Sequence, residues 1–118
     1  MNKYPKRGEI WLVNWNPSRG SEQAGKRPAL IIQNDVGNIN ASTTIVAAIS
    51  ASVKLYPMNV KIEAHESGLN KNSIVKTSQI LTVSKLRLEK RIGELTSEKM
   101  YQVNQAIKLS LGIECCSP

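Results

Sequence analysis

Phenylalanine is missing from the chain altogether, and aromatic residues make up only 4% of it, supplied by Trp11, Trp15, Tyr4, Tyr56 and Tyr101. So few rings argue against a nucleic-acid platform built on stacked aromatics and favour contacts to a backbone over contacts to bases. Cysteine is nearly absent: Cys115 and Cys116 are adjacent, and neighbouring cysteines cannot close a loop that staples a fold. The single histidine, His65, excludes a two-histidine acid and base pair within one chain, and no Cys or His spacing suits a metal. Long apolar runs are lacking too, since nothing approaches the roughly 18 consecutive apolar residues of a membrane span. The basic start at Lys3, Lys6 and Arg7 runs into Gly8 and Glu9 rather than the apolar stretch of a leader. The expectation is a cytoplasmic protein with reduced thiols and no membrane partner. Acidic charge is the last shortage: 9 Asp and Glu against 16 Lys and Arg leave a formal net charge of +7, which attracts polyanions.

What is present is a foldable chain. With 118 residues, 41% of them apolar, it has room for one domain over 1–118, with 113–118 expected as a frayed tail. EIWLVNW at 9–15 is rich in aromatic and β-branched side chains and reads as a strand, followed by a polar loop over 16–26. Pro28 opens the apolar PALIIQN, and DVGN at 35–38 breaks it. TTIVAAIS at 43–50 is apolar without alternation, which calls for burial on both faces or in a barrel interior. MNVKIE at 58–63 alternates as a half-buried strand should, and a polar turn through Gly68 and Asn70 follows. SIVKTSQILTV at 73–83 forms one or two strands interrupted at TSQ, SKLRL at 84–88 suits a single helical turn, and 90–95 gives a last short strand. Met100, Val103, Ala106, Ile107 and Leu111 then recur at helical spacing, with Thr96 as N-cap and Gly112 as stop. Short strands without crossover helices imply a mainly β fold: a small, strongly bent antiparallel barrel with a C-terminal amphipathic helix.

The sharpest local feature is GSEQAGKRP, from Gly20 to Pro28. Its two glycines make a loop, Glu22 and Gln23 supply acceptor and amide groups, and Lys26 and Arg27 bring positive charge to the start of the next strand. An arginine fork there fits a phosphodiester bidentately, although an ordinary solvated charge looks the same in sequence. Neither spaced-glycine pattern for nucleotides is present. Ser50 ends its strand either as a turn residue or as an emerging hydroxyl. Thr77 and Gln79 could read base edges or satisfy a bulge. Arg87, Lys90 and Arg91 form a solvated basic face or a track for a substrate backbone. His65 reads as a surface residue, and Glu63 with Glu66 as at most a weak cation site; no metal or cofactor is implied.

RGEIWLVNWNP at 7–17, GSEQAGKRPALIIQND at 20–35, TTIVAAIS at 43–50, TSQI at 77–80 and the final helix together resemble the MazF/PemK family of toxin endoribonucleases from bacterial toxin–antitoxin systems, over about 110 residues. The resemblance implies an SH3-like barrel, a homodimer, metal-independent cleavage of single-stranded RNA at short sequences, and a cognate acidic antitoxin that blocks the RNA groove. The family's catalytic arginine falls on Arg27 and its catalytic threonine on Ser50. Serine keeps the hydroxyl and loses the β-methyl that restricts its rotamer. Glu22 and Gln23 match the active-site loop, and Gln79 the stretch lining the RNA groove. Arg19, Lys26, Lys54 and Thr77 complete the expected RNA contacts. Two other outcomes stay open at this point: a catalytically weak or inactive RNA-binding barrel, and a toxin of the same fold acting on DNA gyrase.

Overall fold

The computed structural model describes residues 4–16, 25–51 and 56–113. Six strands make one antiparallel sheet: β1 (Glu9–Asn14), β2 (Lys26–Ile31), β3 (Thr43–Ser50), β4 (Asn59–Ile62), β5 (Ser73–Ser84) and β6 (Leu88–Glu94). Helices α1 (Asp35–Asn40), α2 (Ala64–Ser67) and α3 (Ser97–Leu111) connect or follow them, and a 3-10 turn over Lys85–Arg87 joins β5 to β6. The strand order is β4-β5-β3-β2-β1-β6.

The expected SH3-like barrel is not formed. The outer strands β4 and β6 each have one partner, β5 and β1 respectively, so the sheet stays open. The physical reason lies in what fills the seam. Strand β4 is only four residues long, and the chain then turns into α2, which packs against β6 where a closing ladder would have to run. Gly68 follows α2 in the left-handed region at φ 83°, and a Cβ there would meet Ile92 O at 2.6 Å. A Cβ on Gly93 would meet Ser67 O at 2.2 Å. Two glycines thus let backbone touch backbone at a seam that has no strand pairing.

Side chains alternate across a strand, so one face of the sheet takes Ile10, Leu30, Ala47, Ile49, Val60, Ile62 and Val75, which pack with Val103 and Ala106 of α3. The opposite face takes Trp11, Val13, Trp15, Ala29, Ile31, Val46 and Val83. Central strand β3 is buried on both faces, as its unbroken apolar run calls for. Helix α3 starts at Thr96, whose side chain accepts from Lys99 N at 3.1 Å, and ends at Gly112 in the left-handed region, as its spacing predicts.

Two short helices stand where turns are expected. In α1, Val36 and Ile39 are exposed, so no apolar face announces the helix. Polar bonds build it instead: Asn34 accepts from Gly37 N at 2.8 Å, and buried Asn38 accepts from Thr44 at 2.7 Å. The N–H of Arg7, donating to Asp35 at 2.8 Å, holds that carboxyl below its ordinary value. In α2, Glu63 and Glu66 form a reciprocal capping box, and Glu66 lies 3.7 Å from Lys99 Nζ. The two carboxylates considered for a cation are therefore used by the fold. His65 between them is exposed.

Candidate RNA-contacting site at the β2–β3 sheet end

The polar TSQ segment lies inside one continuous strand. Opposite β3, the register of β5 jumps from Ile80 against Ala47 to Lys76 against Ala48, so residues 77–79 bulge out of the ladder. Thr77 is fully buried. Its N–H donates to Met58 O at 3.1 Å, its hydroxyl donates to Met58 O and to Ala106 O, and its own carbonyl accepts from Ser110 at 2.7 Å. It anchors the bulge to β4 and α3 and offers no surface to a ligand, which corrects its assignment as an RNA contact. Thr77→Val keeps the shape and the N–H bond to Met58 O but removes the hydroxyl that also serves Met58 O and Ala106 O. It should cost about 1–2 kcal/mol in chemical denaturation. Gln79, at the other end of the bulge, is half-buried.

Arg27 is exposed at the second position of β2, opposite Val13 of β1. Strand β2 pairs with β3 through Ala29↔Ala48, Leu30↔Ala47 and Ile31↔Val46. The same register carried two residues further sets Arg27 opposite Ser50, the half-buried last residue of β3, which is itself paired with Ile74 of β5. Both side chains belong to the face that carries Trp11, Val13 and Trp15. Directly opposed residues on neighbouring strands have Cβ atoms about 5 Å apart, close enough for a guanidinium and a hydroxyl to address one phosphate.

The stem that presents Arg27 is closed by hydrogen bonds. Trp15 N donates to Gly25 O at 2.8 Å, and Gly25 N donates to Asn16 Oδ1 at 3.0 Å. Arg87 donates to the carbonyls of Asn14 and Asn16 from the other side. Beside this stem, the indole Nε1 of Trp15 is buried without a hydrogen-bond partner. Arg19, Glu22, Gln23 and Lys54 lie outside the described residues, as do Cys115 and Cys116.

Other cations nearby have protein partners. Arg91 bonds Glu9 at 2.9 Å and Glu94 at 2.6 Å, and the Glu9 bond raises its already high pKa. Arg7 donates to Ile32 O at 2.8 Å and to Asn104 at 2.7 Å. Lys26 pairs with Glu89 at 3.1 Å, with its side chain largely in solvent. The basic track considered along β6 is thus reduced to Lys90, because Arg87 and Arg91 hold backbone and carboxylates. Two lysines not singled out in the sequence, Lys61 and Lys76, share the face of Arg27 and Ser50 by strand alternation. Only the alternation around each was readable there; their neighbours follow from the register. Among the described residues, no group of three or more His, Cys, Asp or Glu side chains could hold a metal ion, and no helix is long and apolar enough to cross a membrane.

Comparison with known proteins agrees with this architecture. Residues 6–111 match the family model of PemK-like, MazF-like toxins of type II toxin-antitoxin systems. The chain is 43% identical over 110 residues to an endoribonuclease MazF of Staphylococcus saprophyticus, covering 92% of each protein. Its fold is shared with MazF from Deinococcus radiodurans, at a TM-score of 0.81 and 22% identity over 95% of this chain and all of that one. It is shared equally with a mycobacterial endoribonuclease solved with its cognate antitoxin, at a TM-score of 0.81 and 22% identity over 94% of this chain and 98% of that one. This chain belongs to the PemK-like, MazF-like toxin family of type II toxin-antitoxin systems.

Proposed function

We propose that the protein is a metal-independent endoribonuclease toxin that cuts single-stranded RNA at the Arg27–Ser50 sheet end. The observation that carries this reading is the β2–β3 register, which brings an exposed guanidinium and a strand-end hydroxyl to the same face in a chain of this family. The name of the Staphylococcus relative points to the same activity.

RNA carries its own nucleophile. The 2'-oxygen gives up its proton and attacks the adjacent phosphorus, forming a 2',3'-cyclic phosphate as the bond from phosphorus to the 5'-oxygen breaks. The departing oxygen takes a proton and becomes a 5'-hydroxyl. No water enters the bond-breaking step, and the demand on the protein is charge neutralisation and in-line geometry. Arg27 clamps the nonbridging oxygens through its planar fork and can supply the leaving-group proton. A guanidinium that stays charged has no free lone pair to act as a general base, so removal of the 2'-proton falls to another group. Ser50 donates to the same phosphate from β3. Arg19, Glu22, Gln23, Lys26, Lys54 and Gln79 place the strand and its bases, while an acidic antitoxin segment competes for the same basic surface. The homodimer and the cytoplasmic setting belong to this reading.

Ser50→Ala should lower cleavage about 10- to 100-fold, the worth of one hydrogen bond to a charged group. Ser50→Thr should keep or raise the rate, because its β-methyl limits the hydroxyl's rotamers. The test is an assay on a long mixed-sequence RNA in EDTA, with the cut sites mapped. Discrete cuts at one short word support the reading; intact RNA with correctly folded protein overturns it.

A further inference from the structure

Two rows of side chains cross the sheet on the face of Arg27 and Ser50. One runs Lys61, Ile74, Ser50; the other runs Asn59, Lys76, Ala48, Ala29. Lys61 is exposed and Lys76 half-buried, and they stand as diagonal neighbours on β4 and β5. Diagonal Cα atoms in such a ladder are about 7–8 Å apart, so the two ammonium groups repel. No carboxylate occupies either row. The nearest on the same strand path, Glu63, is committed to the capping box of α2. Among the described residues, neither lysine side chain has a hydrogen bond or ion pair. This contrasts with Lys26, Lys85 and Lys99, each of which meets a protein acceptor. Two like charges on one sheet face, without a compensating acid, are a fit for an external polyanion.

We propose that Lys61 and Lys76 form a second phosphate subsite, which binds the RNA backbone next to the cleavage site and carries the strand out across the β4 edge. Lys76 lies two strands across and two residues along from Arg27, about 12 Å, and Lys61 three strands across, about 14 Å. The lysines therefore meet phosphates other than the scissile one. The subsite adds affinity without base readout, because ammonium groups address phosphate oxygens.

The inference rests on the ribonuclease reading, and one binding experiment separates the two. A short, mixed-sequence, fully 2'-O-methylated RNA lacks the nucleophile, so its binding to the intact protein can be followed by fluorescence anisotropy over a range of salt. At about 0.1 M salt, Lys61→Gln and Lys76→Gln should each weaken binding about fivefold, and each should reduce the slope of log Kd against log salt by about 0.7. The double variant should lose about 25-fold and about 1.4 in slope, while Lys61→Arg with Lys76→Arg keeps both near the parent. Lys108→Gln, on the helix that packs against the other face, should change neither. An unchanged slope in the double glutamine variant, with Arg27→Ala weakened, overturns the subsite and leaves the cleavage site standing. Lost slope in the lysine variants, with Arg27→Ala still cutting an all-ribose RNA at a near-normal rate, supports the subsite and overturns the Arg27 assignment.

Discussion

Arg27→Ala is expected to reduce RNA cleavage at least about 1,000-fold, near 4 kcal/mol of transition-state stabilisation, while the melting temperature stays close to that of the parent. The residue is exposed at the second position of strand β2, where surface substitutions seldom cost more than about 0.5 kcal/mol in stability. The pentavalent phosphorane carries more negative charge than the ground-state diester, so a clamp on its equatorial oxygens binds the transition state more tightly than the substrate. Arg27→Lys keeps the charge and discards the fork, and it should recover only a minor part of the loss. Single-turnover kinetics with circular dichroism on the same preparations check this. Near-normal turnover in folded Arg27→Ala removes the arginine from the chemistry.

Gly93→Ala is expected to destabilise the fold by about 3 kcal/mol, lowering Tm by about 10 °C or more. Gly93 has no positive φ, so the effect is one of contact alone: a Cβ would stand 2.2 Å from Ser67 O. Neither side can yield cheaply, since the opposing atom is backbone and the next residue, Gly68, is itself held at φ 83° and close to Ile92 O. The seam between α2 and β6 takes the place of strand closure in this sheet, and opening it exposes the end of the core beneath α3. A thermal melt of Gly93→Ala within about 2 °C of the parent would contradict the seam's role.

The strands and the last helix were legible in the sequence because burial leaves a period. β4 alternates, β1 and β3 carry unbroken apolar runs, and α3 has an apolar stripe between a threonine cap and a glycine stop. Helix α1 left no such trace, because its stabilising groups are the side chains of Asn34, Asp35 and Asn38 rather than an apolar face. Closure of the sheet was not legible either. Alternation tells which side of a strand is buried and is silent on which strands meet, so a bent sheet sealed by α2 and a closed barrel give the same pattern.

The site divides in the same way. Arg27 stood out through its loop motif and the family resemblance, and the β2–β3 register, continued two residues past its last pair, sets it opposite Ser50. Thr77 belonged to a polar break that sequence alone could read as ligand contact or bulge, and its burial beneath Met58 and Ala106 decides for the bulge. Lys61 and Lys76 look like any solvated lysines along the chain. They become a pair only when β4 and β5 are aligned.

The most direct test of the central claim is a pair of substrates that differ in one atom. Once the cut site is mapped, an RNA with a single 2'-deoxy sugar on the 5' side of the scissile phosphate is compared with its all-ribose parent, in EDTA, and the product ends are analysed. The parent should yield a 2',3'-cyclic phosphate and a 5'-hydroxyl while the deoxy substrate stays intact at that position. Cleavage of the deoxy substrate at a comparable rate, or products bearing a 5'-phosphate, would contradict it.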